Sequence, residues 1–408
     1  MTSTAPTTTT STTLMSTTST TSTSTTTTST TTVTTTAIPR ERPPLLCTIS
    51  APRDQARFRE FTTQRLPDPA LCNFTIVDIP QSPDGSYNET LYLFLRNHRS
   101  SYLFTLDFGG TLEQVKFTID QPQFATGVQM IIRHLYLRGF GLLPTVPGVA
   151  TYRTYGDFRD IQKLHEIYQR IDGVLGASRG VSTIFFLAFT PIQPNNARLM
   201  GSYHTFLRDI KHLPILVIML TITTIDPRRT RPQATASWDT SCLADQGQAR
   251  LNAMVRAIGN ITAPSLARFA LTLSLRMDVF ENVNITSVSQ SLSRLTIPAA
   301  RRRLIQKFSM KCWNGVYRND PQGSRFIYLS GDTCLFASYD DGTIRGISAF
   351  ETARSVESKM QKARRTLAYL DPNNTHQLAW LAHDVTFNLA GSNCGGDSSR
   401  LKRMHDLV

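Results

Sequence analysis

The sequence has no apolar run of the roughly 18 residues that a membrane-spanning helix requires. The apolar stretch from Ile215 to Leu220 is only the length of a buried strand. Cysteine is scarce, with six residues at positions 47, 72, 242, 312, 334 and 394, no Cys-x-x-Cys pair and no histidine at zinc spacing. That argues against a metal site, and no cofactor motif takes its place. Acidic residues are outnumbered, 30 Asp and Glu against 43 Lys and Arg, for a formal net charge of +13. The excess has two readings: a solvated basic surface, or a partner rich in negative charge such as a sulfated glycan or an acidic mucin. The basic clusters are Arg228-Arg229 with Arg231, Arg301 to Arg303, Lys362 with Arg364-Arg365, and Arg400 with Lys402-Arg403. None is interleaved with aromatics as a single-strand nucleic-acid platform would be, which argues against nucleic acid as a partner. Phosphate-cradling loops, nucleophile elbows and zincin helices are missing too. Gly139-Phe140-Gly141 comes nearest to the first, but it lacks the later Gly and the Lys and marks a tight strand end.

What the sequence has in excess is Ser and Thr. They make up thirty of the thirty-five residues from Thr2 to Thr36. Such a segment cannot offset its ordering entropy, so residues 1–38 read as a disordered, mucin-like arm and 39–44 as a Pro-rich hinge. Nearly all of the chain's 40% apolar residues follow the arm. That is enough for a substantial core and excludes a collagen, a coiled coil or a wholly disordered chain. Five Asn-x-Ser/Thr sequons, at Asn73, Asn88, Asn260, Asn284 and Asn373, are candidate N-glycosylation sites. The even cysteine count suits three disulfides. Arm, sequons and cysteines together predict a secreted, extracellular chain. Secretion needs an apolar leader and the Thr-rich start offers none; the reading therefore expects that Met1 is not the native start or that the leader has been removed.

Beyond the hinge, near-continuous apolar runs recur at Leu45–Ile49, Phe74–Ile79, Tyr102–Phe108, Gly139–Leu143, Thr183–Phe189, Ile215–Ile222, Phe269–Leu275 and Leu378–Val385. Runs of this kind read as parallel strands covered on both faces. The earlier intervals suit strand–helix–strand units, and Phe158, Ile161, Leu164, Ile167 and Ile171 predict a helix over Asp157–Ile171. Eight units favour an α/β fold, a (β/α)8 TIM barrel, with a doubly wound open sheet as the competitor. About a hundred residues between Leu275 and Leu378 are too many for a plain loop. They predict an inserted small α+β subdomain over 276–350, within a barrel over 45–396 followed by a basic tail at 397–408.

Several segments carry a family likeness. A first strand holding Cys47 is followed by Leu66-Pro67-Asp68-Pro69-Ala70-Leu71-Cys72 and an apolar second strand, and the third run ends Leu106-Asp107-Phe108-Gly109-Gly110. Phe350-Glu351, then Ser355-Val356 and Lys359, stand before the last strand, and Asp384 to Gly395 closes it. In these features, from Leu45 to Gly396, the chain resembles the family 18 glycoside hydrolases, the chitinases and their inactive chitinase-like relatives. The resemblance implies a Cys47–Cys72 disulfide, a subdomain after the seventh strand, and a chitin-like glycan or a protein as ligand. A Thr-rich arm joined to such a barrel is similar to secreted mucin-like proteins of ticks and related arthropods. The remaining cysteines stay open; one arrangement joins Cys312 to Cys334 and Cys242 to Cys394.

Active members of that family carry Asp-Gly-x-Asp-x-Asp-x-Glu at the end of the fourth strand, where alternating acids point into the barrel. The Glu protonates the leaving oxygen while the substrate's acetamide attacks. Matching Gly139 and Pro147-Gly148 to the family pattern puts Arg138, Gly141 and Leu143 in place of the aspartates and Thr145 in place of the proton donor. On the sixth strand the family's Tyr and Asp become Thr221 and Ile222. The resemblance thus implies a barrel without catalytic acids. Asp78, Asp107 and Asp384, near other strand ends, either cap loops or act as relocated acids. Trp380 is either the lumenal floor of a sugar subsite or core packing, because a one-residue slip turns it to the opposite face. Asp107, Trp380 and Asp384 are the candidate ligand contacts. His134, in a helical stretch, reads as a packed or surface residue.

Overall fold

A computed structural model describes residues 42–49, 68–77, 89–106, 111–142, 160–179, 183–189, 197–221, 236–239, 250–261, 265–275, 277–281, 301–305, 326–329, 334–340, 345–372, 378–383, 385 and 400–408. All of them lie in one compact unit, Glu41–Val408. The arm over 1–38 lies outside the described residues.

Eight strands form the barrel: β1 (Leu45–Ile49), β2 (Phe74–Val77), β3 (Ser101–Thr105), β4 (Tyr136–Leu142), β5 (Ile184–Phe189), β6 (Ile215–Met219), β7 (Arg268–Ser274) and, near the end of the chain, β13 (Leu378–His383). Every neighbouring pair is parallel, and the ring closes where β1 pairs with both β2 and β13, Leu45 opposite Trp380 and Leu46 opposite Phe74. That closure decides against the open sheet. The strands are buried along nearly their whole length, as strands sandwiched between a lumen and a helix layer must be.

Helices cover the outside. They are α1 (Glu89–His98) before β3, α2 (Leu112–Ile119) and α3 (Pro122–His134) before β4, α4 (Ile161–Arg179) before β5, α5 (Ala197–Ile210) before β6 and α6 (Leu251–Gly259) before β7. Local chemistry sets their starts. Thr111 and Gln114 form a reciprocal cap on α2, and Pro122 opens α3 where its missing N–H costs nothing. The predicted helix over Asp157–Ile171 is observed as α4 but runs on through Gly173, because Leu175 extends the buried stripe of Leu164, Ile167 and Ile171. Tertiary burial outweighs the weak helix propensity of one exposed glycine. Residues 157–159 lie outside the described ones.

Between β7 and the helix before β13 stands a separate antiparallel sheet. Its strands are β8 (Met277–Glu281), β9 (Arg301–Ile305), β10 (Phe326–Leu329), β11 (Cys334–Asp340) and β12 (Arg345–Ala349), in the order β10-β11-β12-β8-β9. Its described residues are strands alone, and the helical part of the expected α+β subdomain falls outside them. β9, which holds Arg301 to Arg303, is an edge strand, a position where charge discourages pairing with another chain.

The chain returns through α7 (Ala353–Leu370) to β13 and ends in α8 (Arg400–Leu407). The described part of the expected basic tail, residues 400–408, holds a docked helix. Leu401 and Met404, one turn apart, are fully buried, while Arg403 pairs with Glu357 of α7 and His405 Nδ1 meets the Leu71 carbonyl at 3.1 Å. Beneath this contact lies a buried network. Lys359 Nζ and Glu351 Oε1 are 2.5 Å apart, Ser355 Oγ donates to Glu351 Oε2, and Arg400 donates to the Glu351 carbonyl. Burial presses the Lys359 ammonium below the usual lysine range, against the pull of Glu351. The Cys47–Cys72 disulfide, Cα–Cα 5.9 Å, ties β1 to the segment entering β2, as the resemblance implied.

Candidate ligand site at the barrel mouth

Alternation along the strands sorts their side chains onto two faces. Leu46, Ile76, Leu103, Phe186, Ala188, Leu216, Ile218, Leu220, Ala270, Ala379 and Leu381 pack together inside the lumen. Their sequence neighbours, among them Cys47, Phe104, Phe140, Phe185, Met219, Leu271 and Trp380, belong to the outer cluster against the helices. Trp380 therefore does not line the lumen: Leu381 does, and Trp380 is corrected from a ligand contact to core packing.

On β4 the lumenal positions are Gly139 and Gly141, since Phe140 and Leu142 face outward. A Cβ at 141 would stand 2.2 Å from the Phe186 carbonyl oxygen and 2.3 Å from its ring Cγ. A Cβ at 139 would meet the Ile184 carbonyl at 1.8 Å. Neither position has room for a side chain, and the space an inward-pointing acid would need at 141 is filled by Phe186, itself fully buried. None of the eight barrel strands carries an Asp or Glu at any position.

What polarity the lumen has is concentrated at the C-terminal ends. Thr48 of β1, Thr105 ending β3, Ser274 ending β7 and His383 ending β13 occupy lumenal phases, and all are buried. Ser274 lies opposite His383 in register, and Thr48 follows the Cys47–Ala382 pair on the other side. Three adjacent strands thus present a threonine, a histidine and a serine side by side. One layer down, Thr272 Oγ1 donates to the Met219 carbonyl at 2.9 Å, and Thr221, standing for the family's tyrosine, donates to the Thr272 carbonyl at 3.1 Å. These side chains are buried and already engaged within the protein, and none is a carboxylic acid that could protonate a leaving group. His383 is the residue that sequence reasoning passed over; its phase two residues beyond Leu381 was the available signal.

Other expected residues have varied positions. Arg138 is the extra residue where the β3–β4 register shifts; its Nη1 donates to the Tyr136 hydroxyl at 2.9 Å, and its guanidinium lies 5.6 Å from that ring. Leu143, Thr145, Asp78, Asp107, Ile222 and Asp384 lie outside the described residues, as do Cys242, Cys312 and Cys394. Cys334 opens β11, opposite Leu329. Asn73 and Asn260 are exposed, and Asn73 uses its carbonyl oxygen, not the amide nitrogen that would carry a glycan, to accept from Leu45 N. Asn88, Asn284 and Asn373 are outside the described residues. Trp238 is buried in the outer core, and His134 ends α3. Among the described residues no three His, Cys, Asp or Glu side chains gather as a metal site would, and no helix is long and apolar enough to cross a membrane.

No family model matches the sequence, and no curated protein does. Solved structures do. A cell-surface chitinase from Paenibacillus sp. FPU-7 shares 11% identity over 90% of this chain at a TM-score of 0.52; the chain spans only 32% of that multi-modular enzyme. A Group IV chitinase of Ostrinia furnacalis, solved with allosamidin, gives 12% identity, 89% and 98% coverage and 0.51. A glycoside hydrolase family 18 N-acetylglucosaminidase of Paenibacillus barengoltzii gives 11%, 90% and 100%, and 0.51. These likenesses establish the fold: a divergent, chitinase-like (β/α)8 barrel.

Proposed function

We propose that this chain is a secreted, catalytically silent chitinase-like protein that holds a glycan or a protein partner, or serves as a glycosylated coat component, rather than cleaving sugar. The observation that carries this reading is position 141, closed to any side chain by Phe186. General acid catalysis alone is worth about 10²–10⁴ in rate, before the missing electrostatic stabilisation is counted, and a threonine at 145 cannot supply the proton near neutral pH. The likeness of the fold to chitinases, one of them solved with allosamidin, supports a chitin-like glycan as the ligand. The buried Cys47–Cys72 disulfide supports an oxidising compartment.

Incubation with fluorogenic chito-oligosaccharides tests the reading. The expected outcome is no release above the uncatalysed background. Turnover that Asp107→Asn or Asp384→Asn abolishes would establish relocated acids and overturn it.

A further inference from the structure

At the N-terminal rim, the described residues between the helices and β3, β4, β5, β6 and β7, namely 99–100, 135, 183, 211–214, 260–261 and 265–267, include no Asp or Glu. They and the first residues of the strands bring Arg99, Arg138, Lys211, His212 and Arg268 to one rim. Asp209, 3.7 Å from Arg208, lies within α5, and Asp371 stands on the turn toward β13.

Arg99 is the telling member. It follows α1 with φ 53°, the left-handed conformation that glycine adopts freely and an arginine adopts only with strain. It is exposed, while the next residue, Ser100, is buried and bonded to Thr75 Oγ1 at 2.5 Å. The left-handed turn ends α1 as helix C-termini commonly end, and it leaves the Arg99 side chain exposed on the rim. On the neighbouring strand, Tyr136 is 51% exposed and holds the Arg138 guanidinium against its ring. Further round, the Lys211 carbonyl accepts from Leu266 N and Ala267 N at 2.8 and 3.1 Å, locking the turn with Lys211 and His212 to the one that presents exposed Arg268. From β3 to β7 is four strand spacings, an arc of roughly 19 Å.

We propose that this N-terminal rim, at the opposite end from the mouth, is a docking surface for an acidic glycan, whose sulfate or carboxylate groups are met by Arg99, Arg138 and Arg268. Guanidinium forks match such oxyanions in shape as well as charge. Among the described residues, one exposed tyrosine gives no ladder for stacking successive bases, and one large exposed aliphatic beside the arc, Leu266, is too little to enter a bilayer. The site does not depend on the proposed silent mouth.

The test is titration of the full chain with heparin, comparing Arg99→Gly/Arg138→Gln/Arg268→Gln with Arg301→Gln/Arg302→Gln/Arg303→Gln, which removes the same charge from the edge strand β9. At roughly two- to fivefold per exposed charge, the rim variant is expected to bind about tenfold or more weakly and the β9 variant within about twofold of the parent. Arg99→Gly alone is expected to weaken binding while its thermal midpoint stays level or rises, which a merely structural arginine would not do. Equal losses in the two triple variants, or unchanged binding by Arg99→Gly, would overturn the proposal. So would single-stranded DNA or anionic vesicles competing as well as heparin at matched charge.

Discussion

The two faces of the same eight strands have been put to different uses. Outward, they carry the bulk of the core, with Tyr102, Phe104, Phe140, Phe185, Phe189 and Trp380 packed against helices. Rings meet edge to face, as Phe104 does Phe140 at 6.2 Å and Phe189 does Phe206 at 5.5 Å. Inward, they carry alanines, aliphatics, two glycines, Phe186 with Phe74 packed against the cluster, and a few polar side chains toward the C-terminal ends. The outer face answers to what any such barrel needs, a filled sheet–helix interface. The inner face, among the described residues, is packed mostly by apolar contact, with Phe186 against Gly141. The side chains of one face can vary without disturbing the other, because the two are coupled only through the backbone.

The sharpest way to break that contrast is to restore an acid. Gly141→Asp forces a side chain against the Phe186 carbonyl and ring and buries an unpaired carboxylate, so a loss of at least about 4 kcal/mol is expected in chemical denaturation. Adding Phe186→Ala should recover only part of it, because the carbonyl 2.2 Å away remains. Full recovery would mean that side-chain packing alone closes the site. Trp380→Ala comes next: as an outer-layer core residue it should cost about 3–4 kcal/mol and leave oligosaccharide binding at the mouth unchanged in calorimetry. Selective loss of binding by a stable Trp380→Ala would return that residue to the ligand site. The smallest effect is expected for Thr272→Val, which removes the hydroxyl bonded to the Met219 carbonyl between β6 and β7. A loss of about 1 kcal/mol measures what lumenal hydrogen bonding contributes.

The strands were legible because burial on both faces demands unbroken apolar runs, and each of the eight was found within a few residues of its observed bounds. β4 was read to begin at Gly139, but it starts at Tyr136, because Arg138 is accommodated as an extra residue against β3 rather than ending the pairing. The final helix was read as a basic tail because Arg400, Lys402 and Arg403 dominate its composition. Its two-residue apolar stripe gains meaning only from the groove it enters beside α7. The resemblance puts Gly141 in place of a family acid, but it does not reveal that Phe186 closes that position, since the contact joins residues 45 positions apart.

What the sequence determined by itself is the alternation of apolar strands and amphipathic helices and the approximate span of each strand. Those are local properties, written in residue order. Ring closure through β1 and β13, the facing of Trp380, the closing of position 141 and the gathering of Arg99, Arg138 and Arg268 on one rim were decided only in three dimensions. Each depends on which distant backbones lie about 5 Å apart, and no local pattern encodes that distance.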